Sequence, residues 1–537
     1  MQWLQVLISG KALAVSGGVD SMALASLCKE SSSEWPTRPS FLGLVVDHRL
    51  RLGSTDEASS VAAELSRLEI EPKILTLDWA SLQGAAPTDH VENRARTSRY
   101  RALGDACYAH GINSLLVAHH ADDQAETVLT RLCSGYFGSG LRGIKPRIPI
   151  PECEGIYGID ASGGDPQTYL KHPGNRHDSF VGEMAVESGG VEVFRPLLSF
   201  RKGHLISHCR SKNIRWFEDH TNQDPEYALR NTVRYMQRQE LLPLALRTQR
   251  ILSLSKVVAA REATADDRAF AALKRLGVTV DTNVGQARFA QPDSLTMMPN
   301  TSAVRTRIVR ALVASVSPIR NIGLLDAVDA GDVLFAQGEA DGEMNRGQKC
   351  QVAGVQLCPP SKEDGQSFWA LHRALPTRAE RLKRRILWAS VTETHLPTIS
   401  TGKWSLWDNR FWLQILPCGG ESASHDVVEV AARFFSKADK AALKRTLDKE
   451  ELRELRKALD VVPGDLRFTL LALVVRSKSS NGSTVEKLVA LPSLGWSVRG
   501  WSRRSHATQS VVNAVWQYDI RYRSFDASLR TTSTPPQ

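Results

Sequence analysis

The chain has 537 residues, and 68 Lys and Arg residues against 58 Asp and Glu residues give it a formal net charge of +10. At about 100–200 residues per domain, this length predicts roughly three domains. Hydrophobic residues make up 42% and charged residues 23%, which excludes wholesale disorder. No apolar run approaches the ~20 residues that cross a bilayer, so no membrane partner is expected.

Short apolar runs alternate with amphipathic stretches over the first third of the chain. This alternation predicts an α/β fold with a doubly wound parallel sheet and helices on both faces. In such sheets, ligands bind beyond the C-terminal ends of the strands, which is where four unusual segments fall. The predicted strands are 11–15, 41–47, 73–79 and 114–119, and the predicted helices are 22–30, 55–68, 92–110 and 122–133.

The first segment is the string SGGVDS at 16–21, directly after a predicted strand. Its glycines allow a sharp turn, and the N-terminus of the following helix favours an anion. The spacing is not that of a Walker A loop, but the carboxylate at Asp20 suggests a Mg²⁺ ion that bridges it to a phosphate. A plain strand-to-helix turn is the alternative. The string as a whole favours a phosphate site.

The second and third segments carry charge at the same predicted edge. Asp47 and His48 end the second strand and are candidates to contact a nucleotide, although a helix cap explains Asp47 equally well. Arg96 and Arg99 share one face of the helix at 92–110 and are candidates to bind an anion. A solvated face with internal ion pairs is the alternative for these two arginines.

The fourth segment, HHADDQAET at 119–127, follows the strand at 114–119. Asp122, Asp123 and Glu126 lie on one helix face, and crowded carboxylates repel one another unless a cation balances them. The candidates are Mg²⁺ and the ammonium group of a substrate. Stabilisation of first-turn acids by the helix dipole is the alternative. A zinc site is disfavoured because the spacing is not HExxH and no cysteine is close.

With these segments in order, the chain resembles the tRNA(Ile)-lysidine synthetases of the PP-loop superfamily, the N-type ATP pyrophosphatases. Residues 195–198 (RPLL) begin a downstream pattern that continues through the string RWFED at 215–219 to Arg234. The string WDNRF at 407–411 resembles a short WDGRF motif of some members, with Asn409 where Gly is usual. The resemblance covers residues 11–240 well and is patchy beyond them.

The resemblance implies a ligase that forms a carbon–nitrogen bond. ATP would adenylate the C2 oxygen of the wobble cytidine 34 of an isoleucine tRNA with a CAU anticodon, releasing pyrophosphate. The ε-amino group of free L-lysine would then displace AMP. ATP and Mg²⁺ are the implied cofactors, and a homodimer is one possible assembly.

The resemblance also implies residue roles. The ATP-binding set is Ser16, Gly17, Gly18, Val19, Asp20, Ser21, Asp47 and His48. The catalytic set is Asp20, Arg96, Asp122, Asp123 and Glu126, with Asp20 and Asp123 as candidate Mg²⁺ ligands. Arg99, Arg195, Arg230 and Arg234 are candidates to contact the tRNA or the adenylate.

The basic excess is concentrated beside this predicted site. Residues 195–256 contain twelve Lys and Arg residues against five acids, an excess of seven. A basic face of this kind is expected for a protein that binds a tRNA anticodon stem-loop. A basic helical face without a partner is the alternative.

The predicted domains are the PP-loop catalytic domain at 1–240, a helical and tRNA-contacting segment at 241–330, and a smaller α+β domain at 331–525. Gly and Pro residues at 151–190 predict a surface insertion without a catalytic role. Residues 526–537 are predicted to be a disordered tail.

Rival functions are a tRNA 2-thiolation enzyme of the same superfamily and a catalytically inactive tRNA-binding protein. The eight cysteines include no CxxC pair, which disfavours sulfur transfer and predicts neither an Fe–S cluster nor zinc. The intact SGGVDS string and the acidic helix face disfavour an inactive protein. Residues 1–15 resemble neither a secretory signal nor a transit peptide. The compartment expected from the resemblance is the cytoplasm in a bacterium or the mitochondrial matrix in a eukaryote.

Overall fold

The computed structural model describes residues 10–33, 40–49, 53–77, 91–164, 184–217, 229–290, 301–335, 350–363, 366–388, 398–399, 402–417, 429–478, 484–504 and 516–529. The chain forms two compact units. The first contains residues 1–164 and 189–264, and the second contains residues 165–188 and 265–537. No described helix is long and apolar enough to span a membrane.

The first unit is built on a six-stranded sheet in which β1, β2, β3, β4 and β6 run parallel and β5 is an antiparallel edge. The central strand β1 reads KALAV and is buried over most of its length, as expected for a strand covered on both faces. The doubly wound α/β prediction is therefore confirmed. The strands are β1 Lys11–Val15, β2 Phe41–Asp47, β3 Glu71–Thr76, β4 Ser114–Leu116, β5 Arg147–Pro149 and β6 Glu192–Phe194.

The strand order β3-β2-β1-β4-β6-β5 reverses direction at β1. The chain leaves β1 toward β2 on one side and returns to β4 on the other, so the loops after β1 and β4 flank a crevice. Crevices of this kind are the usual ligand sites of open α/β sheets. The SGGVDS string and the paired histidines follow these two strands.

Helices cover both faces of this sheet. Leu13 and Val15 pack with residues of α1, α2 and α5 on one face, while Ala12 and Leu115 pack against α3 on the other. A third cluster joins α4, α6 and α7. The helices are α1 Val19–Ser33, α2 Ser54–Arg67, α3 Val91–Ala109, α4 Ala121–Cys133, α5 Lys202–Ser211, α6 Leu229–Arg238 and α7 Thr248–Arg275.

The described parts of the segment 151–190, residues 151–164 and 184–190, are not the surface excursion that its Gly and Pro content predicts. Cys153 and Ile159 are buried in the core against α3. Residues 165–183 lie outside the described part. Val186 and Glu187 are buried in the second unit, where Val186 pairs with Tyr522. Gly and Pro residues signal irregular backbone, and irregular backbone is compatible with burial when its side chains are apolar.

The second unit contains three sheets. Their orders are β7-β8-β11-β10-β9, β13-β12-β16-β17-β18-β19 and β14-β15-β21-β20, and most pairs are antiparallel. The α8 helix, Ser302–Val316, packs on the first of these sheets and against α9, Leu324–Phe335. The remaining helices are α10 Arg378–Lys383, α11 Lys437–Thr446 and α12 Lys449–Asp460.

The strands of the second unit have two to nine residues. They are β7 Thr279–Asp281, β8 Gln286–Ala290, β9 Cys350–Val352, β10 Val355–Glu363, β11 Gln366–Arg373, β12 Ile386–Trp388, β13 Thr398–Ile399, β14 Ser405–Trp407, β15 Phe411–Pro417, β16 Glu429–Phe434, β17 Leu471–Lys478, β18 Thr484–Leu491, β19 Trp496–Ser497, β20 Trp501–Arg503 and β21 Trp516–Tyr522.

The structure differs from the sequence expectations at two places in this unit. The segment predicted as helical, 241–330, also contributes β7 and β8, which alternate buried and half-buried residues. The ordered core extends through Leu529, which is only 2% exposed, so residues 526–529 do not belong to a disordered tail. Residues 530–537 lie outside the described part. The division into three functional domains stays a prediction.

Candidate active site

The loop after β1 is closed by its own serines. The Ser21 hydroxyl donates to the Gly18 carbonyl at 2.9 Å and accepts from the Ser16 amide at 3.3 Å. Gly17 has a φ of 84°, in the left-handed region, and a Cβ at this position would lie 2.6 Å from Val61 Cγ2. Only glycine satisfies both the turn and the close packing against α2.

Asp20 follows the loop in the first turn of α1 and meets two basic side chains. Its Oδ2 lies 3.4 Å from Lys202 Nζ and 3.6 Å from His120 Nε2. Burial opposes ionisation, but the contacts with His120 and Lys202 outweigh it and hold the pKa of Asp20 below its ordinary value. Asp20 Oδ1 is buried, and no donor among the described residues lies within hydrogen-bond distance of it.

The paired histidines after β4 lead into the start of α4. His120 is the N-cap, and its Nδ1 accepts from the amides of Asp122 and Asp123 at 3.2 and 3.4 Å. The Asp123 carboxylate accepts in return from the His120 amide at 3.0 Å, which completes a capping box. Because Nδ1 is an acceptor, Nε2 of the neutral ring carries the proton and faces Asp20 and Asp123.

Asp122 is bound on both oxygens by the start of α5. Oδ1 accepts from Arg201 Nε at 2.7 Å, and Oδ2 accepts from the Lys202 amide at 2.7 Å. These bonds fix the first turn of α5 against the first turn of α4. Since Lys202 also contacts Asp20, the first turns of α1, α4 and α5 meet around one cluster of charges.

Glu126 lies one turn further along α4 and is 3% exposed. Its Oε2 is 2.8 Å from Arg234 Nη2 and 3.1 Å from Arg234 Nε. Arg234 was predicted to contact the tRNA or the adenylate, and here it neutralises a buried carboxylate of the same site. The outward role of Arg234 stays a prediction.

Asp47 and His48 lie at the end of β2. The two oxygens of Asp47 accept from the hydroxyls of Ser54 and Thr55, both at 2.8 Å, and from the Arg49 amide at 3.1 Å. Its side chain has no exposed surface, and these bonds fix the loop that enters α2. Burial and the charge of Arg99 lower the pKa of His48, with Asp47 acting in the opposite direction.

Arg96 and Arg99 lie over the ring of Tyr100, and Arg195 interacts with the same residue. The guanidinium carbons of Arg96 and Arg99 lie 4.9 and 5.4 Å from its centroid. Arg96 also contacts Glu152 at 3.3 Å. Arg195 is 7% exposed and donates to the Lys145 carbonyl, and its buried Nε has no acceptor among the described residues. Arg96, Arg99 and Arg195 are therefore neighbours, with Arg195 the most buried, whereas Arg234 pairs with Glu126.

The downstream pattern meets the loop after β1 through its backbone. The Phe217 amide donates to the Gly17 carbonyl at 2.9 Å, and the Arg215 amide donates to Glu64 of α2 at 3.0 Å. Residues 218–228 and the side chain of Arg230 lie outside the described part. The position of Arg230 as a tRNA ligand therefore stays a prediction.

Sequence reasoning missed three residues of this site: His120, Arg201 and Lys202. Lys202 and Arg201 appeared only as part of the basic excess at 195–256. Part of this positive charge is paired within the site, since Arg201 and Lys202 pair with Asp122 and Asp20. No short motif marks Lys202, and only the packing of α5 against α1 brings it to Asp20.

A Mg²⁺ ion fits the donor set when it is shared with phosphate. Among the described residues, no group of three or more His, Cys, Asp and Glu side chains is arranged to hold a metal. Mg²⁺ commonly binds through one or two carboxylates together with substrate phosphates and water. The buried, unpartnered Oδ1 of Asp20 beside the loop is a suitable donor for such an ion.

Comparison with known proteins identifies the family. A family model described as a PP-loop domain matches residues 8–243. A probable tRNA(Ile)-lysidine synthase of Schizosaccharomyces pombe is 28% identical over 91% of both chains. The tRNA(Ile)-lysidine synthase of Methylobacterium nodulans is 30% identical over 61% of this chain and 81% of that protein. The chain belongs to the tRNA(Ile)-lysidine synthase family.

Membership of the tRNA(Ile)-lysidine synthase family confirms the resemblance drawn from the SGGVDS string and the downstream pattern. Every candidate site residue falls within the matched range 8–243. Among solved structures, the U34-tRNA thiolase NcsA of Methanococcus maripaludis covers 47% of this chain and 72% of that one at 14% identity and a TM-score of 0.31. A likeness at this level supports no argument about function.

Replacing Gly17 by alanine is expected to destabilise the first unit by about 1–3 kcal/mol, because the backbone strain and the clash with Val61 add. Thermal unfolding of the full chain measures this. Gly18→Ala is the matched control, since its Cβ would meet nothing closer than Ser16 Oγ at 3.9 Å. Equal unfolding temperatures for the two variants would contradict the strained-turn account.

Proposed function

We propose that this protein ligates free lysine to C2 of the wobble cytidine of an isoleucine tRNA with a CAU anticodon, through an adenylated cytidine. The observation that carries the proposal is the meeting of the SGGVDS loop with the acidic start of α4 at the switch point of the sheet. A phosphate-binding loop and a carboxylate cluster within one crevice suit a reaction in which a substrate amine, bound as its cation, loses a proton and displaces AMP from an adenylated carbon.

The first step forms a bond between the cytidine O2 and the α-phosphorus of ATP and breaks the bond to the β-phosphate, releasing pyrophosphate. Ser16, Gly17 and Gly18 offer backbone and hydroxyl donors to the phosphates, with the N-terminus of α1 behind them. Mg²⁺, bound through Asp20, would supply charge neutralisation for the leaving pyrophosphate. The arginines around Tyr100 supply positive charge for the nucleotide or the tRNA.

The second step forms a bond between the lysine ε-nitrogen and C2 and breaks the bond from C2 to oxygen, releasing AMP. The amine must be neutral to attack and loses a proton, so it needs a nearby carboxylate as acceptor. Asp122 already accepts two hydrogen bonds at 2.7 Å from the start of α5. Asp123 accepts from the His120 amide and Glu126 pairs with Arg234, so partners within the site orient all three carboxylates. Asp122, Asp123 and Glu126 are together the proposed ligands of the substrate ammonium.

The remaining assignments follow from the same proposal. The base must leave the anticodon stack to reach the crevice, and the cost is lower for a loop base than for a paired one. The basic excess at 195–256 is the proposed contact with the anticodon arm. The proposed assembly is a homodimer. The proposed compartment is the cytoplasm in a bacterium or the mitochondrial matrix in a eukaryote.

The expected activity is continuous release of pyrophosphate from ATP, which requires the tRNA for the first step and lysine for repeated turnover. It is measured with purified full-length chain and a CAU-anticodon isoleucine tRNA transcript, followed by mass spectrometry of the nucleosides. A transcript with U34 in place of C34 is the matched control and is expected to remain unmodified. Retention of lysidine in a strain that lacks this protein and has no second copy would contradict the proposal.

A further inference from the structure

We propose that Lys202 is a pyrophosphate-binding residue of the ATP site, although it lies outside the SGGVDS loop. Its ammonium group is held on Asp20 in the structure and contacts the β- and γ-phosphates when nucleotide binds. The inference rests on the proposed binding of ATP in the loop and does not depend on lysine or tRNA.

The position of Lys202 is fixed by its own backbone. Its amide donates to Asp122 Oδ2 at 2.7 Å, while the neighbouring Arg201 guanidinium donates to Asp122 Oδ1 at the same distance. The helix α5 packs against α1 through Leu205 and Cys209, which are buried in the core under the sheet. The base of the Lys202 side chain is therefore held rigidly, and only the end of the chain is free to reorient.

The ammonium group points at the loop. Lys202 Nζ lies 3.4 Å from Asp20 Oδ2, and Asp20 is two residues after Gly18 in the first turn of α1. The Lys202 side chain keeps 39% of its surface exposed, so it is accessible from the crevice. A phosphate bound by the backbone of the loop lies within the reach of a four-carbon side chain that already touches Asp20.

The local charges favour a transfer from carboxylate to phosphate. A divalent cation bound to Asp20 removes the charge that retains the ammonium and repels it at the same time. Phosphate oxygens beside the cation then attract the ammonium more strongly than the neutralised Asp20 carboxylate does. Lysine binds phosphate as a point charge, so no particular geometry is needed. Asp122 holds the helix through its amide, so Lys202 changes partner without movement of α5.

Binding to the full-length chain by isothermal titration calorimetry tests the assignment, with inorganic pyrophosphate, ATP and AMP as separate probes. Lys202→Met is expected to weaken pyrophosphate and ATP about 10- to 100-fold, the effect of losing a hydrogen bond to a charged group. AMP lacks the β- and γ-phosphates and is expected to bind Lys202→Met and the wild type within about twofold. Lys202→Arg should recover most of the pyrophosphate affinity.

Lys212→Met is the matched control. Lys212 follows the same helix and pairs with Glu30 at 3.1 Å, so this variant removes one lysine and one ion pair without approaching the loop. Its affinity for pyrophosphate should equal that of the wild type. Equal loss in Lys202→Met and Lys212→Met would overturn the assignment, since the effect would then be one of net charge.

A double variant separates direct contact from simple neutralisation of Asp20. Without metal, Asp20→Asn combined with Lys202→Met should remain weak for pyrophosphate if Lys202 contacts phosphate. Recovery to the wild-type affinity would overturn the proposal and leave Lys202 as a counter-ion only. Wild-type chain that binds neither ATP nor pyrophosphate would overturn the proposed function as well, whereas normal ATP binding by Lys202→Met would overturn this inference alone.

Discussion

Replacement of Asp20 by asparagine is expected to reduce tRNA- and lysine-dependent pyrophosphate release by about 100- to 1000-fold, the range seen when one group that stabilises transition-state charge is removed. The change keeps the size of the side chain but removes the carboxylate whose Oδ1 is buried and unpartnered among the described residues. Lys202 and His120 lose the negative charge that they share, and the proposed Mg²⁺ ion loses its anionic ligand.

Asp56→Asn is the matched control for this variant. Asp56 lies in the first turn of α2, is exposed, and is also an acid near a helix N-terminus. Its replacement should leave pyrophosphate release within about twofold of the wild type. If Asp20→Asn released pyrophosphate at the wild-type rate, the assignment of the loop as the nucleotide site would be wrong. The reaction would then not need the Asp20 carboxylate.

Replacement of Asp408 by alanine is expected to lower the free energy of unfolding of the second unit by about 3–5 kcal/mol. Asp408 has no exposed surface, and its Oδ2 accepts from Arg410 Nε at 2.9 Å and Arg373 Nε at 3.3 Å. Arg384 lies 3.6 Å from the other oxygen. Without the carboxylate, the fully buried Arg410 guanidinium loses its ion-pair partner and stays next to Arg373, which keeps only its pair with Glu380.

Chemical denaturation followed by tryptophan fluorescence measures this effect, because Trp407 and Trp412 are buried on either side of the same turn. Asp465→Ala is the control, since Asp465 is exposed and lies in a short 3₁₀ helix of the same unit. A change of less than 1 kcal/mol for Asp408→Ala would contradict the account of a buried ion-pair cluster.

The WDNRF string illustrates what a local pattern determines. Asp408 and Asn409 have φ values of 48° and 51°, and they form the turn between β14 and β15. Asparagine is among the few non-glycine residues that adopt this region readily, so it replaces the glycine of the related motif. Trp407 and Trp412, on either side of this turn, are buried. Arg410 belongs to the same string, but the other two partners of Asp408, Arg373 and Arg384, come from distant segments and left no local signal.

The sequence by itself determined the α/β order of the first unit and the loop after β1. Buried parallel strands are continuous apolar runs, and a tight turn before a helix requires glycine for steric reasons. Both features depend on neighbouring residues only, so a short stretch of sequence predicts them. It also determined the family, through the SGGVDS string and the downstream pattern. The bounds of β3 and β4 shifted by a few residues, because hydrogen bonding between strands ends them and not their composition.

The pairing of the charges depends on tertiary packing. Asp122 and Glu126 looked equivalent on one helix face, but α5 binds the first and Arg234 of α6 binds the second. Lys202 meets Asp20 across 182 positions of sequence. Ion pairs of this kind depend on which helix faces pack together, and that choice is made by the apolar residues beneath them. The charge of a side chain is local information, whereas its partner is a property of the packed core.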